Sequence, residues 1–446
     1  MVGQTSTLDE PRMPPRPAGR ITTLRVLWSA GRVREDPPIE FSEEIRIGRD
    51  PAANGCVLED PHVSRQHAVL FADPSDAAAT LRNLSRRGSH VAGQRVDDTA
   101  RVADGQVLVI GHSLLLFRVE TRPIEDAPEA AKLIGSAPAM RTLRARAALL
   151  APTDGVVRIQ GATGTGKELV AETLHGLSGR SGPFVPVNCA AIPDTLAESA
   201  LFGHVGGAFT GATQSAKGWF RGAAHGTLFL DEIGELPLTQ QAKLLRALES
   251  GRVIPVGSTE EIPHHARVIT ATHRDLTSDV REGRFRADLY SRVSDFVLEV
   301  PSLAARPEDT LPLLRHGFSG PLPPLDFALA RALLEHPWPL NVRELMRIAK
   351  QLETFGAGRA ALTLDLVEAS LARSVSLLGD TTDSEPPPAD DARGSDRPPS
   401  REALEELLRE HRGVVADVAR QVGRSRKQVY RWLRSQGLDL EDYREG

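Results

Sequence analysis

Three regimes of hydrophobic patterning follow one another along the chain. Between Ile21 and Glu120, short apolar runs at residues 23–27, 45–47, 68–71, 107–110 and 114–117 are separated by turn signals such as Ala92-Gly93 and Asp104-Gly105. Short, closely spaced β-prone runs predict an all-β sandwich. From about Ala130 to Arg373, strand-like runs at 156–159 and 228–230 alternate with helical periodicity at 169–177 and 240–248. That alternation predicts an α/β domain with a parallel sheet. After Trp338 the pattern is wholly helical, so a small helical lid is expected at the end of this domain. Residues 401–446 resume as three helical stretches.

The segments between these regimes set the boundaries. Residues 1–20 are rich in Pro, Arg and Gly and read as a disordered tail. The sandwich then spans 21–120, a linker 121–129, and the α/β domain 130–373, with 130–305 as its body and 306–373 as its lid. Pro386, Pro387 and Pro388 among clustered Asp, Ser and Arg mark 374–400 as a solvated, disordered linker ahead of the all-α tail. A chain of 446 residues with 40% hydrophobic and 25% charged positions suits several globular domains. No apolar run approaches the ~18 residues of a membrane span, so no membrane partner is expected. Only Cys56 and Cys189 are present, which excludes a disulfide framework and makes a reduced, cytoplasmic setting the expectation. A net charge of −5 argues against nonspecific nucleic-acid coating, not against a small basic module.

Two stretches carry phosphate chemistry. Gly161, Ala162, Thr163, Gly164, Thr165, Gly166 and Lys167 follow a predicted strand and open a predicted helix, the setting of a P-loop. Glycines let backbone N–H groups face an anion, and the helix N-terminus adds partial positive charge. Lys167 would meet the β- and γ-phosphates of ATP. Glu168 stands where a P-loop usually has the Ser or Thr that touches Mg²⁺. The run 227–230 ends in Asp231 and Glu232, about sixty residues downstream. Asp231 is placed to hold Mg²⁺, and Glu232 to orient or deprotonate the attacking water.

Gly207, Ala208, Phe209, Thr210, Gly211 and Ala212 spell GAFTGA, and with the preceding Leu201-Phe202-Gly203-His204 they resemble the signature loop of AAA+ activators of sigma-54 RNA polymerase. A loop made for contact has use for mobile glycines and an exposed Phe. The resemblance covers roughly residues 130–373. It implies a ring-forming ATPase, typically a hexamer, whose loops push on sigma-54. It implies that Asn188 is a switch restraining Glu232. Arg286 and Arg292 match arginine fingers acting on a neighbouring subunit's ATP, where such a finger is worth roughly 10³–10⁵ in rate. Arg343 matches a sensor arginine from the lid, and Ile134 and Gly135 the segment bordering adenine. The chain departs from the family at His273 (usually Asn), Arg221 (Glu), Ala200 (Glu), His225 (Gly) and Leu340 (Gly). The catalytic core is intact, so hydrolysis is expected to survive with altered coupling.

Within the β-rich segment, Gly48-Arg49, Ser64-Arg65-Gln66-His67 and Gly88-Ser89 resemble a forkhead-associated (FHA) domain. That resemblance implies phosphothreonine binding through Arg49, Ser64, Arg65 and Ser89, with charge-assisted hydrogen bonds to the phosphate. Arg87, also expected at the phosphopeptide, stands where the family has Asn, which implies either an added phosphate contact or weaker peptide recognition. His67 is expected to support the loop rather than touch ligand.

The tail resembles a Fis-like helix-turn-helix. Gly423 sits at the turn and Ser425 at a helix start. Six basic residues and no acidic one lie between Arg420 and Arg434. Arg424, Ser425, Arg426, Lys427, Gln428 and Arg431 are the expected contacts to upstream promoter DNA. The combined expectation is an ATP-driven, sigma-54-dependent activator regulated by a phosphothreonine reader. Two alternatives are a DNA-binding regulator with a decayed ATPase and an AAA+ remodeller of another protein.

Overall fold

The structure, a computed structural model, describes residues 20–379 apart from 74, 75, 122–126, 128, 129, 131 and 211, together with 401–411 and the single residues 418, 432 and 438. The chain divides into two compact units, Met1–Asp383 and Ser384–Gly446. Among the described residues no helix is long and apolar enough to cross a membrane.

The first unit opens with twelve strands: β1 (Arg20–Ser29), β2 (Arg32–Val33), β3 (Ile39–Phe41), β4 (Glu44–Gly48), β5 (Cys56–Val57), β6 (Ala68–Ala72), β7 (Ala78–Asn83), β8 (Ser89–Val91), β9 (Gln94–Val96), β10 (Thr99–Ala103), β11 (Val107–Ile110) and β12 (Ser113–Thr121). They make two sheets, β2-β1-β12-β11-β8-β9 with β3 beside β1, and β10-β7-β6-β4-β5. All pairs are antiparallel except β4 with β5. The expected sandwich is present, and its core joins Leu24, Ile47, Leu70, Leu81, Leu108, Leu115 and Phe117.

The runs in β11 and β12 are unbroken rather than alternating because both faces of that sheet are covered. Leu108, Ile110, Leu115 and Phe117 point into the sandwich. Val107, Val109, Leu114 and Leu116 join a second core with Leu27 and Trp28 and with the lid residues Leu329, Leu333, Leu345 and Ile348. A strand buried on both faces reads as continuous hydrophobicity. The β-bulge between Val26 and Trp28 lets β1 supply both Leu27 and Trp28 to the lid side.

The central domain runs α1 (Pro138–Leu150), β13 (Val157–Gln160), α2 (Lys167–Leu177), β14 (Phe184–Asn188), α3 (Asp194–Phe202), α4 (Gly218–Gly222), β15 (Thr227–Asp231), α5 (Leu238–Ser250), a short β16 (Arg252–Val253) with β17 (Ile262–Pro263), β18 (Arg267–Thr272), α6 (Leu276–Arg281), α7 (Ala287–Val293) and β19 (Phe296–Glu299). Five strands form a parallel sheet in the order β14-β15-β18-β13-β19. The ends of β13, β14, β15 and β18 therefore deliver the P-loop, Asn188, Asp231 and His273 to one edge, where open α/β sheets place ligands. The lid consists of α8 (Thr310–His316), α9 (Phe327–Glu335), α10 (Asn341–Phe355) and α11 (Glu368–Gly379). One expectation needs correction: α11 continues to Gly379 instead of giving way to linker at 374, and Ser374 is still buried, with its hydroxyl 3.2 Å from His336 Nε2. In the second unit, α12 (Arg401–Glu410) buries Leu404 and Leu408 along one face, with Val418 and Trp432 also buried. The expected DNA-contact residues Arg424, Ser425, Arg426, Lys427, Gln428 and Arg431 lie outside the described residues, as does the 380–400 linker.

Candidate functional site: a nucleotide pocket, a contact loop and an arginine-rich loop end

The P-loop connects the buried end of β13 to the N-terminus of α2. Gly164 (φ +78°) is required there twice over: a Cβ would enter the left-handed region and lie 2.2 Å from the Leu340 carbonyl oxygen. That close approach docks the lid on the loop. Asn341 Nδ2 donates to Thr163 O at 3.0 Å, its Oδ1 accepts from Leu303 N at 2.8 Å, and Arg343 N donates to Gly164 O at 3.2 Å. Leu340, where a glycine was expected, keeps an ordinary φ of −106°; the left-handed positions are Trp338 and Asn341 instead. Thr165 is buried and ties back to Ala162 O at 2.9 Å. Glu168 is exposed in the first turn of α2. Lys167, 7% exposed, bonds Gly161 O at 3.0 Å and stands 3.7 Å from Glu232 Oε1.

Asp231 ends β15 and Glu232 follows it directly. Burial raises the Asp231 carboxyl above its ordinary range, and the neighbouring Glu232 charge raises it further, against Lys167 and Arg343. Glu232 sits at φ +52°, a left-handed position for a non-glycine at a site edge. The restraint expected from Asn188 is absent: Asn188 lies across the ladder from Asp231, but its Oδ1 accepts from Ala190 N at 2.9 Å, capping the following turn. Glu232 is held by His273, whose Nδ1 is 2.7 Å from Oε2. A carboxylate only accepts, so that nitrogen carries the proton. His273, a departure from the family's Asn, thus makes the contact to Glu232 that Asn188 does not.

Arg286 and Arg292 are engaged by groups around their own helix. Arg286 forms a bidentate pair with Asp288 at 3.0 and 2.7 Å, and Arg292 lies 3.7 Å from Asp295. Both are exposed. Ile134 and Gly135 lie beside the lid, where Arg144 holds Gly135 O at 2.7 Å.

The loop carrying Gly207 to Ala212 rises from a stem in which His204 pairs with Ala216 and with Val256. It closes on itself through Gly207 N to Ala212 O at 2.7 Å and Ala212 N to Phe209 O at 3.0 Å. Phe209 is 40% exposed and Thr210 is also exposed, whereas Ala208 is half-buried and Ala212 buried; Gly211 lies outside the described residues. Sequence reasoning gave His204 no role. Its imidazole bonds Ser199 Oγ at 2.7 Å and Gln214 O at 3.0 Å and meets the Phe209 ring edge-on at 5.1 Å. Arg221, the charge reversal, donates to Lys217 O and Ala216 O at the base of this stem, so local carbonyls absorb its charge. Ala200 lines a cleft of about 410 Å³ with Leu196 and Trp219. His225 takes the left-handed backbone a glycine would favour (φ +59°) and stacks on His265 at 5.2 Å.

At one end of the sandwich the loops after β4, before β6 and after β7 converge. Gly48 is required by close approach, since a Cβ would sit 2.2 Å from Arg65 O. Arg49 N donates to Ser64 O at 3.0 Å. Ser64 and Ser85 hydroxyls are 2.8 Å apart. His67, fully buried, joins the loops as expected: its Nδ1 accepts from Ser64 N at 3.1 Å, which leaves Nε2–H to donate to Gly88 O at 3.1 Å. Burial holds its pKa below the ordinary value, keeping this neutral tautomer. Arg49, Arg65, Arg86 and Arg87 are exposed around this end. Arg87 Nη1 reaches His62 O at 3.4 Å. Ser89 is a correction: it is fully buried and donates to Asn83 Oδ1 at 3.0 Å, so it stiffens the turn from inside and does not face a ligand. Asn83, which also donates to Ser85 O and Asp97 O, was missed because a strand-end Asn carries no distinctive pattern.

Comparison with known proteins agrees with this layout. Residues 133–299 match the sigma-54 interaction domain family and residues 45–111 the FHA domain family. The chain is 38% identical over 335 residues to the transcriptional regulatory protein GlrR of Escherichia coli K12, covering 73% of this chain and 72% of that protein. It is 46% identical over 253 residues to the anaerobic nitric oxide reductase transcription regulator NorR of Klebsiella pneumoniae, covering 53% and 49%. Among solved structures, NtrX from Brucella abortus in complex with ADP is 30% identical, with a TM-score of 0.50 over 70% of this chain and 71% of that one. The chain belongs to the sigma-54-dependent transcriptional activators, with their AAA+ ATPase domain behind an N-terminal FHA domain.

Proposed function

We propose that this activator hydrolyses ATP in a homo-oligomeric ring, a hexamer when active, and spends the energy on moving the loop at 207–212 against the sigma-54 RNA polymerase closed complex. The P-loop residues Gly161 to Lys167 cradle the phosphates, Glu168 flanks them, Lys167 neutralises charge, and Glu232 orients the attacking water. Asp231 and Glu232 bring two adjacent carboxylates to the P-loop beside Lys167, so Asp231 would hold Mg²⁺, which would supply neutralisation of phosphate charge when bound. Arg343 reaches the nucleotide from the lid beside Gly164, and Ile134 and Gly135 border the base. Arg286 and Arg292, exposed and paired with nearby acids and a carbonyl, serve the next subunit's nucleotide. His273, bonded to Glu232 Oε2, takes the switching role that the resemblance gives Asn188, whose Oδ1 caps the following turn.

The observation that carries this reading is one domain presenting both a P-loop with a carboxylate pair and an exposed Phe209-Thr210 tip on a closed stem. The FHA end reads a phosphothreonine through Arg49, Ser64 and Arg65, with Arg87 as an added cation in place of an amide. Residues 401–446 bind upstream DNA as a helix-turn-helix through Arg424, Ser425, Arg426, Lys427, Gln428 and Arg431. The test is open-complex formation on a sigma-54 promoter, with and without ATP. Wild type melts the promoter only with ATP, and Glu232→Gln binds ATP without melting it. ATP-independent activation, or equal activation by Glu232→Gln, would favour a DNA-binding regulator with a decayed ATPase.

A further inference from the structure

We infer that the FHA domain is part of this chain's nucleotide pocket, its Arg25 and Arg118 acting as positioning residues for the base-bordering segment. This rests on the reading of Ile134 and Gly135 given above. Residues 133–137 have no helix or strand of their own to fix them. They are pinned from three sides. Arg144 of α1 donates to Leu133 O at 2.8 Å and Gly135 O at 2.7 Å. Asp309 Oδ1, in the turn before α8, accepts from Ser136 N at 2.6 Å and Ala137 N at 3.1 Å. Arg25 of β1 donates to Ser136 Oγ at 2.6 Å.

The turn that carries Asp309 is itself gripped by the FHA domain. Arg118 of β12, with a side chain 12% exposed, forms a fork on Glu308 (Nε to Oε1 at 3.0 Å, Nη2 to Oε2 at 2.7 Å) and also donates to Ala305 O at 2.9 Å. A bidentate guanidinium–carboxylate pair this dry fixes orientation as well as distance. The same turn contributes Arg306, which reaches Thr165 O of the P-loop at 3.5 Å. One FHA strand therefore aligns, through residues 305–309, both the base-bordering segment and the phosphate loop. Glu120 of β12 adds a pair with Arg141 of α1.

The positioning claim is tested by ADP binding to the full chain, measured by calorimetry, with KM and kcat for ATP alongside. Arg25→Ala and Arg118→Gln each weaken ADP by roughly 5-fold or more. The KM for ATP rises by the same factor and kcat stays within about twofold. Arg25→Ala and Ser136→Ala are non-additive, the double variant binding ADP no more weakly than the worse single one. Arg315→Ala breaks another contact between FHA domain and lid, the exposed pair with Glu35 at 2.6 Å, away from the pocket. It leaves ADP affinity at the wild-type value, which a merely structural role for the interface would not. ADP affinity within twofold of wild type in Arg25→Ala, additive effects with Ser136→Ala, or equal losses in Arg315→Ala would overturn the inference. A chain that binds ADP in this pattern yet hydrolyses no ATP would refute the proposed activity and leave the inference standing.

Discussion

Lys167 is almost buried and bonds the carbonyls of its own loop, whereas Arg49, Arg65 and Arg87 stand exposed around the end of the sandwich. The pocket proposed for ATP is built from backbone: a helix N-terminus, a left-handed glycine and a lid docked through Asn341. The end proposed for phosphothreonine is built from side chains, with loops held by a buried neutral His67. Backbone construction fixes the groups that meet the anion before it binds, with Lys167 held in place by loop carbonyls. Side-chain construction spreads the anion's interactions over several solvated cations, each screened by salt.

Substitutions sharpen that contrast in descending order. Lys167→Ala removes the P-loop's own buried cation, and nucleotide affinity in a direct binding assay falls roughly 100-fold or more. Arg49→Ala lowers affinity for phosphothreonine peptides roughly 30-fold at low salt, by fluorescence anisotropy. Equal binding of phosphorylated and unphosphorylated peptides by wild type would break the comparison altogether. The buried His67 ties stability to pH. Its folded pKa lies below 6.5, so the unfolded chain takes up the proton first as pH falls. Stability is therefore complete above about pH 6.5 and declines below it, at up to ~1.4 kcal/mol per pH unit for this group. Melting between about pH 7.5 and 5.5 is steeper for wild type than for His67→Asn. Arg87→Ala has the smallest effect, a loss of roughly 2- to 3-fold in peptide affinity that vanishes at high salt.

Much of this was legible in the sequence because the signals are local. A P-loop, a strand ending in Asp231-Glu232 and the GAFTGA hexapeptide each occupy contiguous residues, and each lies where the fold needs it. Contacts across long separations were not legible. Arg118 finds Glu308 across 190 positions, and nothing around either residue marks the other. The apolar runs in β11 and β12 announced strands, yet not that the lid would cover their outer face. Ser89 was misread because a motif position was taken for an exposed one, and the turn of Gly88 directs it inward onto Asn83. The sequence marks His273 as a departure from the family's Asn, and only the geometry shows that its partner is Glu232, which Asn188 does not touch.

The central claim is that hydrolysis beside Lys167 and Glu232 is delivered through the tip of the 207–212 loop. Its most direct test is promoter melting by Thr210→Ala, followed by permanganate footprinting together with phosphate release. The account predicts continued phosphate release with no single-stranded promoter DNA. Wild-type melting by Thr210→Ala would contradict it.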